Sequence, residues 1–205
     1  MLRRPVIAIC IAAALWFVMF SPWTAHRLNF WLAMTGSALV LTGVAQWFGG
    51  TLGLLKRPRV TDLALGVGIA FVLWWLFRLG DVVSQWMFSF ARPQVDMIYG
   101  MKDGTPGWVI SALLLLVIGP AEELFWRGYV QRTLGEGLGA DKAFVLTALA
   151  YTLVHVPSFN LMLILAALAC GVIWGGLYRL FPDRFPAILL SHALWDAAAF
   201  VWFPL

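Results

Sequence analysis

Apolar residues dominate seven stretches of the chain, about 6–20, 28–48, 63–79, 108–130, 143–156, 161–178 and 185–203. At ~1.5 Å per helical residue, stretches of this kind suit the ~30 Å hydrocarbon core of a bilayer. The pattern predicts an all-α fold: a polytopic membrane helical bundle of about seven transmembrane helices. The fifth stretch is short and stops at Pro157, which lacks a backbone donor and disfavours helix at Val156. A helix that ends inside the membrane, or against protein, is expected there.

Composition strengthens this reading. Of 205 residues, 62% are hydrophobic and only 12% charged, with a mean hydropathy of +0.86. So few charges cannot clothe a soluble domain of this size, so the lipid bilayer itself is the outer solvent. The basic, apolar N-terminus resembles a signal peptide, but no small-x-small cleavage site follows, and a retained first span is expected. Cys10 and Cys170 both lie inside apolar runs and read as small core residues rather than a disulfide or a Cys-rich metal site. The net charge of +4 fits basic loops that hold orientation, and no nucleic-acid patch is seen.

With the N-terminus in the cytoplasm, the inner loops carry Arg3, Arg4, Lys56, Arg57, Arg59, Arg127, Arg132, Lys142, Arg179 and Arg184. The outer ones carry only Arg27, Arg78, Arg92 and Lys102, which satisfies the positive-inside rule. The longest connection, 80–107, then lies outside, and its "VVSQWMFSFARPQ" has the look of an interfacial helix. Twelve tryptophans, many near span ends, read as interfacial anchors.

Against this background a few charges stand out. A charge at the centre of a spanning helix costs about 2.5–3.5 kcal/mol even on the lenient insertion scale, so each needs a partner or a purpose. The candidates are Glu122, Glu123 and Arg127 on the fourth stretch, His155 on the fifth, and His192 and Asp196 on the seventh. His26 falls in a short loop and reads as solvated. Glu123 and Arg127, four apart, can pair on one helix face, while Glu122 points about 100° away. His192 and Asp196 are likewise four apart. Measured from the basic residues that mark the cytoplasmic boundary, Glu122, His155 and His192 lie about 15, 20 and 12 Å deep. They are expected to converge on one polar cavity entered from the cytoplasmic half, with Gly171 and Gly175 allowing close helix approach.

Such a cavity has two chemistries open to it. A carboxylate beside a neutral histidine can deprotonate water, while a second histidine with a hydrogen-bonding neighbour stabilises the oxyanion of a hydrolysed peptide. Two histidines and a carboxylate are equally a zinc-like ligand set. Outside enzymology, the same groups could form the proton relay of a transporter, though no repeat halves of the kind many transporters show are found.

The motifs "EELFWR" (Glu122, Glu123, Arg127), "YTLVH" (Tyr151, His155) and "HALWD" (His192, Asp196) resemble, in order, those of the CPBP family. This is the group of CAAX-processing and bacteriocin-processing intramembrane proteases, also called Abi. The resemblance covers about 109–203, which it marks as the catalytic core of a single membrane domain, with 1–105 as N-terminal spans and interfacial segment. It implies an intramembrane endopeptidase of glutamic type in which Glu122 and His155 activate water. His192 and the residue at 196 then stabilise the oxyanion, and Glu123 and Arg127 hold the site together. The implied partner is a membrane-associated, lipid-modified or exported peptide or protein, and the setting a bacterial inner membrane. Two departures stand out: Tyr151 where phenylalanine is commoner, and Asp196 where asparagine is frequent. No cofactor is expected, because Glu122 already supplies a base, with zinc as the alternative.

Overall fold

The computed structural model describes residues 2–55 and 57–205. Lys56, counted above with the basic residues, lies outside the described residues. Eight main helices follow one another: α1 (Arg3–Phe20), α2 (Phe30–Gly49), α3 (Val60–Met87), α4 (Ala91–Gly100), α5 (Gly107–Leu138), α6 (Ala140–Leu153), α7 (Leu161–Leu180) and α8 (Pro182–Trp202). Six of them, all but α4 and α6, are long and apolar enough to cross a membrane.

The fifth expected span, α6, has 14 residues, rises only about 21 Å and is not among the six. A short helical turn, Val156–Ser158, extends it, so the strand of chain still travels from one end of the bundle to the other. At its start Asp141 pairs with Arg179, while beyond its end Asn160 donates to the Gln94 carbonyl on α4 at 2.8 Å. Asn160 also caps α7 by accepting the Leu163 N–H at 2.9 Å, as Asn29 caps α2 through the Leu32 N–H.

Cross-chain contacts sort the connections into two poles. At the first, Arg132 donates to the Gly49 carbonyl, Arg184 pairs with Asp62 at 3.0 Å and Leu2 lies beside Gly137. At the second, Trp31 Nε1 donates to the Met101 carbonyl at 2.9 Å and the Tyr99 hydroxyl to the Ala199 carbonyl at 2.8 Å. Each helix therefore enters from the pole that the hydropathy pattern assigns it. The segment expected to be interfacial divides: its first half completes α3, and only α4 lies apart. Pro93 falls in the first turn of α4, where no intrahelical donor is needed.

α5 is the central helix, half of it buried, with α2 and α8 packed along it. Two wide turns interrupt it, Leu114–Ile118 and Trp126–Gln131, on either side of the glutamate pair. The first has a visible cause. Pro120 cannot donate, and its ring crowds the carbonyl four residues back, so the chain widens and the Gly119 N–H bonds to Leu114 five residues back. Gly119 also faces α8, where an added Cβ would come within 2.8 Å of the Ala193 Cα. Gly171 and Gly175 serve the expected close packing, with Ala148 and Phe144 of α6 as their neighbours.

Burial corrects two sequence expectations. Trp16, Trp126 and Trp174 are fully buried and so cannot be interfacial anchors, whereas Trp47, Trp86 and Trp108 are exposed. Cys170 is in the core, but Cys10 lies exposed on α1.

Gly119→Ala is expected to destabilise the bundle by about 1–3 kcal/mol, because the clash is with backbone that cannot rotate aside. Gly36→Ala, with open space around it, should be neutral or slightly stabilising. Thermal unfolding of the two variants in detergent checks the contrast.

Candidate active site

Adjacency on α5 sends the two glutamates in different directions. Glu123 points into a buried interface, where its Oε1 accepts from Arg127 Nη1 at 2.9 Å and from His192 Nδ1 at 2.7 Å. Both Glu123 and Arg127 are almost wholly buried. Arg127 also donates to the Cys170 carbonyl of α7 at 3.2 Å and lies over the Tyr151 ring at 5.1 Å. Three helices are thus joined through one ion pair. The expected Glu123–Arg127 partnership is present, with His192 as a third member.

Glu122 points to the other side, into a cavity of about 570 Å³ that it shares with Tyr151, His155 and Asp196. The Tyr151 hydroxyl donates to Glu122 Oε2 at 2.8 Å. A phenylalanine could not make this bond, so the tyrosine is a larger departure from the resembled pattern than its shape implies. Of the two glutamates, Glu122 alone meets the cavity.

His155 sits at the end of α6 with both ring nitrogens engaged. Nδ1 faces the Tyr151 carbonyl at 2.7 Å, and Nε2 accepts from the indole N–H of Trp16 at 3.1 Å. The indole can only donate, so Nε2 is the acceptor and the proton of the neutral ring is on Nδ1. Trp16 comes from α1, far from every motif. Sequence reasoning passed it over as an anchor. The one available signal was its depth: about 20 Å from the first pole by helix rise, level with His155.

His192 does not line the cavity. It stacks on Trp174, with ring centroids 3.8 Å apart, and its Nε2 lies 3.5 Å from Asp196 Oδ2. Asp196 therefore stands between His192 and the open space. Trp174 is itself fixed by donating to Ser191 Oγ at 3.1 Å. Sequence analysis placed Glu122, His155 and His192 in one cavity; the structure puts the first two there and the third behind Asp196.

The cavity's position and lining also differ from expectation. Its walls are mostly apolar, and they run from Glu122 toward the second pole, past Phe20, Trp31, Phe77 and Tyr99. Among the described residues, none of those lining it comes from the loops of the first pole. The reason is packing: Phe125, Trp126 and Tyr129 are buried there and fill the half of the bundle beneath the glutamates. A second, larger groove of about 920 Å³ lies between α3 and α7 and contains none of the site residues.

Among the described residues, no group of three or more His, Cys, Asp and Glu side chains is arranged to hold a metal ion. His155 has both ring nitrogens engaged, while His192 bonds Glu123 through Nδ1 only. His26 is exposed in its loop, near the Pro22 carbonyl.

Two substitutions probe the local bonds. Trp16→Phe keeps an aromatic ring but leaves His155 Nε2 without its donor, and Tyr151→Phe removes the donor to a buried carboxyl group. Each is expected to cost about 1–3 kcal/mol, from a buried polar atom left unpaired. Thermal unfolding in detergent, with Phe20→Leu as a neighbouring apolar control, measures it.

The comparison with curated proteins and the comparison with solved structures each gave no match. The comparison with protein families gave one. Residues 104–198 match the model described as Rce1-like, type II CAAX prenyl endopeptidase. The matched segment contains Glu122, Glu123 and Arg127, Tyr151 and His155, and His192 and Asp196, in that order on three helices. Through this segment, just under half of its length, the chain is similar to the Rce1-like CAAX-protease family.

Proposed function

We propose that this chain is an intramembrane endopeptidase that hydrolyses a peptide bond in a membrane-associated, lipid-modified or exported polypeptide. The observation that carries the reading is Glu122: a buried carboxyl group, held through one oxygen by Tyr151, at the inner end of a largely apolar cavity. The family match supports the class of reaction. The cavity volume is in the range of small-ligand sites, and its apolar wall suits a lipid chain or an apolar peptide segment. The setting we assign is a bacterial inner membrane.

In this mechanism Glu122 is the general base. It takes a proton from a water molecule as the water oxygen attacks the scissile carbonyl, giving a tetrahedral oxyanion. The C–N bond then breaks, the proton passes from Glu122 to the leaving amine, and a new carboxyl terminus remains. No covalent enzyme intermediate forms. His155 lines the same space, and in the described arrangement its Nε2 is held by Trp16. It can take part in holding the water only as that bond opens. Asp196, backed by His192, is the polar group nearest to receive the oxyanion, and it can donate there only when protonated. Glu123 and Arg127 act through position alone.

Glu122→Gln is expected to lower peptide cleavage by about 10²–10⁴-fold, the usual contribution of a general base, while leaving the folded state intact. Mass spectrometry of a membrane-anchored peptide library incubated with purified protein in detergent reads it. Wild-type cleavage that survives in the variant overturns the assignment.

Asp196→Asn separates two chemistries. Without a metal the site gains a permanent N–H donor at the oxyanion and keeps substantial activity, and chelators have little effect; this is the expected result. If instead chelation abolishes cleavage, zinc restores it and Asp196→Asn is inactive, the site uses a bound cation.

A further inference from the structure

α3 and α7 each pack against α8, and the groove of about 920 Å³ lies between the two. Its walls are apolar along nearly their whole length. Leu65, Val72 and Leu76 of α3 are exposed, so this flank of the bundle faces the lipid. Gly68 lines the same wall, and a Cβ added there would meet nothing within 4 Å. From Thr61 to Leu76 the wall runs about 22 Å by helix rise, more than the ~15 Å depth of one hydrocarbon leaflet.

One end of the groove is charged. Among the described residues, Arg184 at the start of α8 is the only charged side chain in the lining. Its Nη1 donates to Asp62 Oδ1 at 3.0 Å and to Thr61 Oγ1 at 3.3 Å. Both bonds leave through one nitrogen, so the Nε–Nη2 edge has no hydrogen bond among the described residues. Such an edge is a fork that can hold two phosphate oxygens at once. Asp62 is buried and also accepts from the Arg59 N–H at 3.0 Å, which ties the start of α3 to the same end. Arg57 and Arg59 are exposed there. Set against these three arginines are Asp62 and Asp183, so the end of the groove stays positive.

We propose that this groove holds one bilayer phospholipid with an anionic headgroup. The phosphate lies on the Nε–Nη2 edge of Arg184, in the field of Arg57 and Arg59, and an acyl chain lies along α3 past Gly68. A zwitterionic headgroup brings a cation of its own to this positive end and fits it less well. An apolar helix laid in the groove would bury the guanidinium edge with no anion to meet it. The proposal stands apart from the peptidase reading.

The test uses the full chain, purified in detergent and stripped of lipid. It is titrated separately with phosphatidylglycerol, with phosphatidylcholine of the same acyl chains, and with inorganic phosphate. Native mass spectrometry counts bound lipids and subunits, and thermal unfolding reads the stabilisation that binding confers. The expected result is one phosphatidylglycerol per chain, held about tenfold more tightly than phosphatidylcholine, and no effect of inorganic phosphate. Gly68→Leu fills the groove and should abolish binding of the lipid while leaving the lipid-free unfolding temperature unchanged. The double variant Arg57→Gln, Arg59→Gln should weaken phosphatidylglycerol alone. Arg184→Lys keeps a cation for Asp62 but lacks the fork, and should lose most of the preference. Equal affinity of the wild type for the two lipids overturns the proposal. So does phosphatidylglycerol binding that is unchanged in Gly68→Leu, or a preference that survives in both arginine variants. An equal stabilisation by inorganic phosphate overturns the lipid as occupant, and a dimer that Gly68→Leu dissociates replaces it with a second copy of the chain.

Discussion

Everything else in the bundle is arranged around one oxygen atom. Glu123 Oε1 accepts from Arg127 on its own helix and from His192 on α8, and Arg127 extends the same link to the Cys170 carbonyl on α7. In a buried interface these charges are costly apart and tolerable together. These bonds tie helices α5, α7 and α8 into one mutual placement, with Glu123 Oε2 and Arg127 Nε left unpartnered among the described residues. That placement turns His192 away from the cavity and sets Asp196 at its edge.

With Glu123 committed to structure, the neighbouring glutamate is left for the proposed role of base. The turn of about 100° between consecutive residues of a helix sends Glu122 to the opposite environment. There Tyr151 holds one oxygen and apolar walls surround the rest. The wide turns of α5 before and after the pair, one of them caused by Pro120, set the rotation of this short segment against its neighbours. Trp16 adds a restraint from the first helix. The N-terminal half of the chain, which carries no motif, thereby reaches the site directly.

Much of this was legible in the sequence. Hydropathy located the long helices because lipid demands runs of about 20 apolar residues. The i,i+4 spacing identified the Glu123–Arg127 pair, since that contact lies within one helix. Contacts between helices were harder to read. Matched depth brought Glu122 and His155 to one cavity, but depth says nothing of rotation about the helix axis, so His192 was misplaced. Trp16 and Trp174 looked like membrane anchors because composition does not distinguish a tryptophan facing headgroups from one facing a histidine. The extent of the cavity was hard to read for a similar reason. Whether Phe125, Trp126 and Tyr129 plug one half of the bundle depends on how three faces of α5 pack, which no local pattern records.

The division of labour between two adjacent carboxyl groups is the centre of this account. Comparison of the thermal unfolding of Glu122→Gln and Glu123→Gln in detergent tests it most directly. Glu123→Gln breaks a buried ion pair and should lose about 3–5 kcal/mol of stability. Glu122→Gln keeps an oxygen for the Tyr151 hydroxyl and should unfold at or above the wild-type temperature. Equal destabilisation by the two substitutions would contradict the account, since Glu122 would then hold the fold together as Glu123 does.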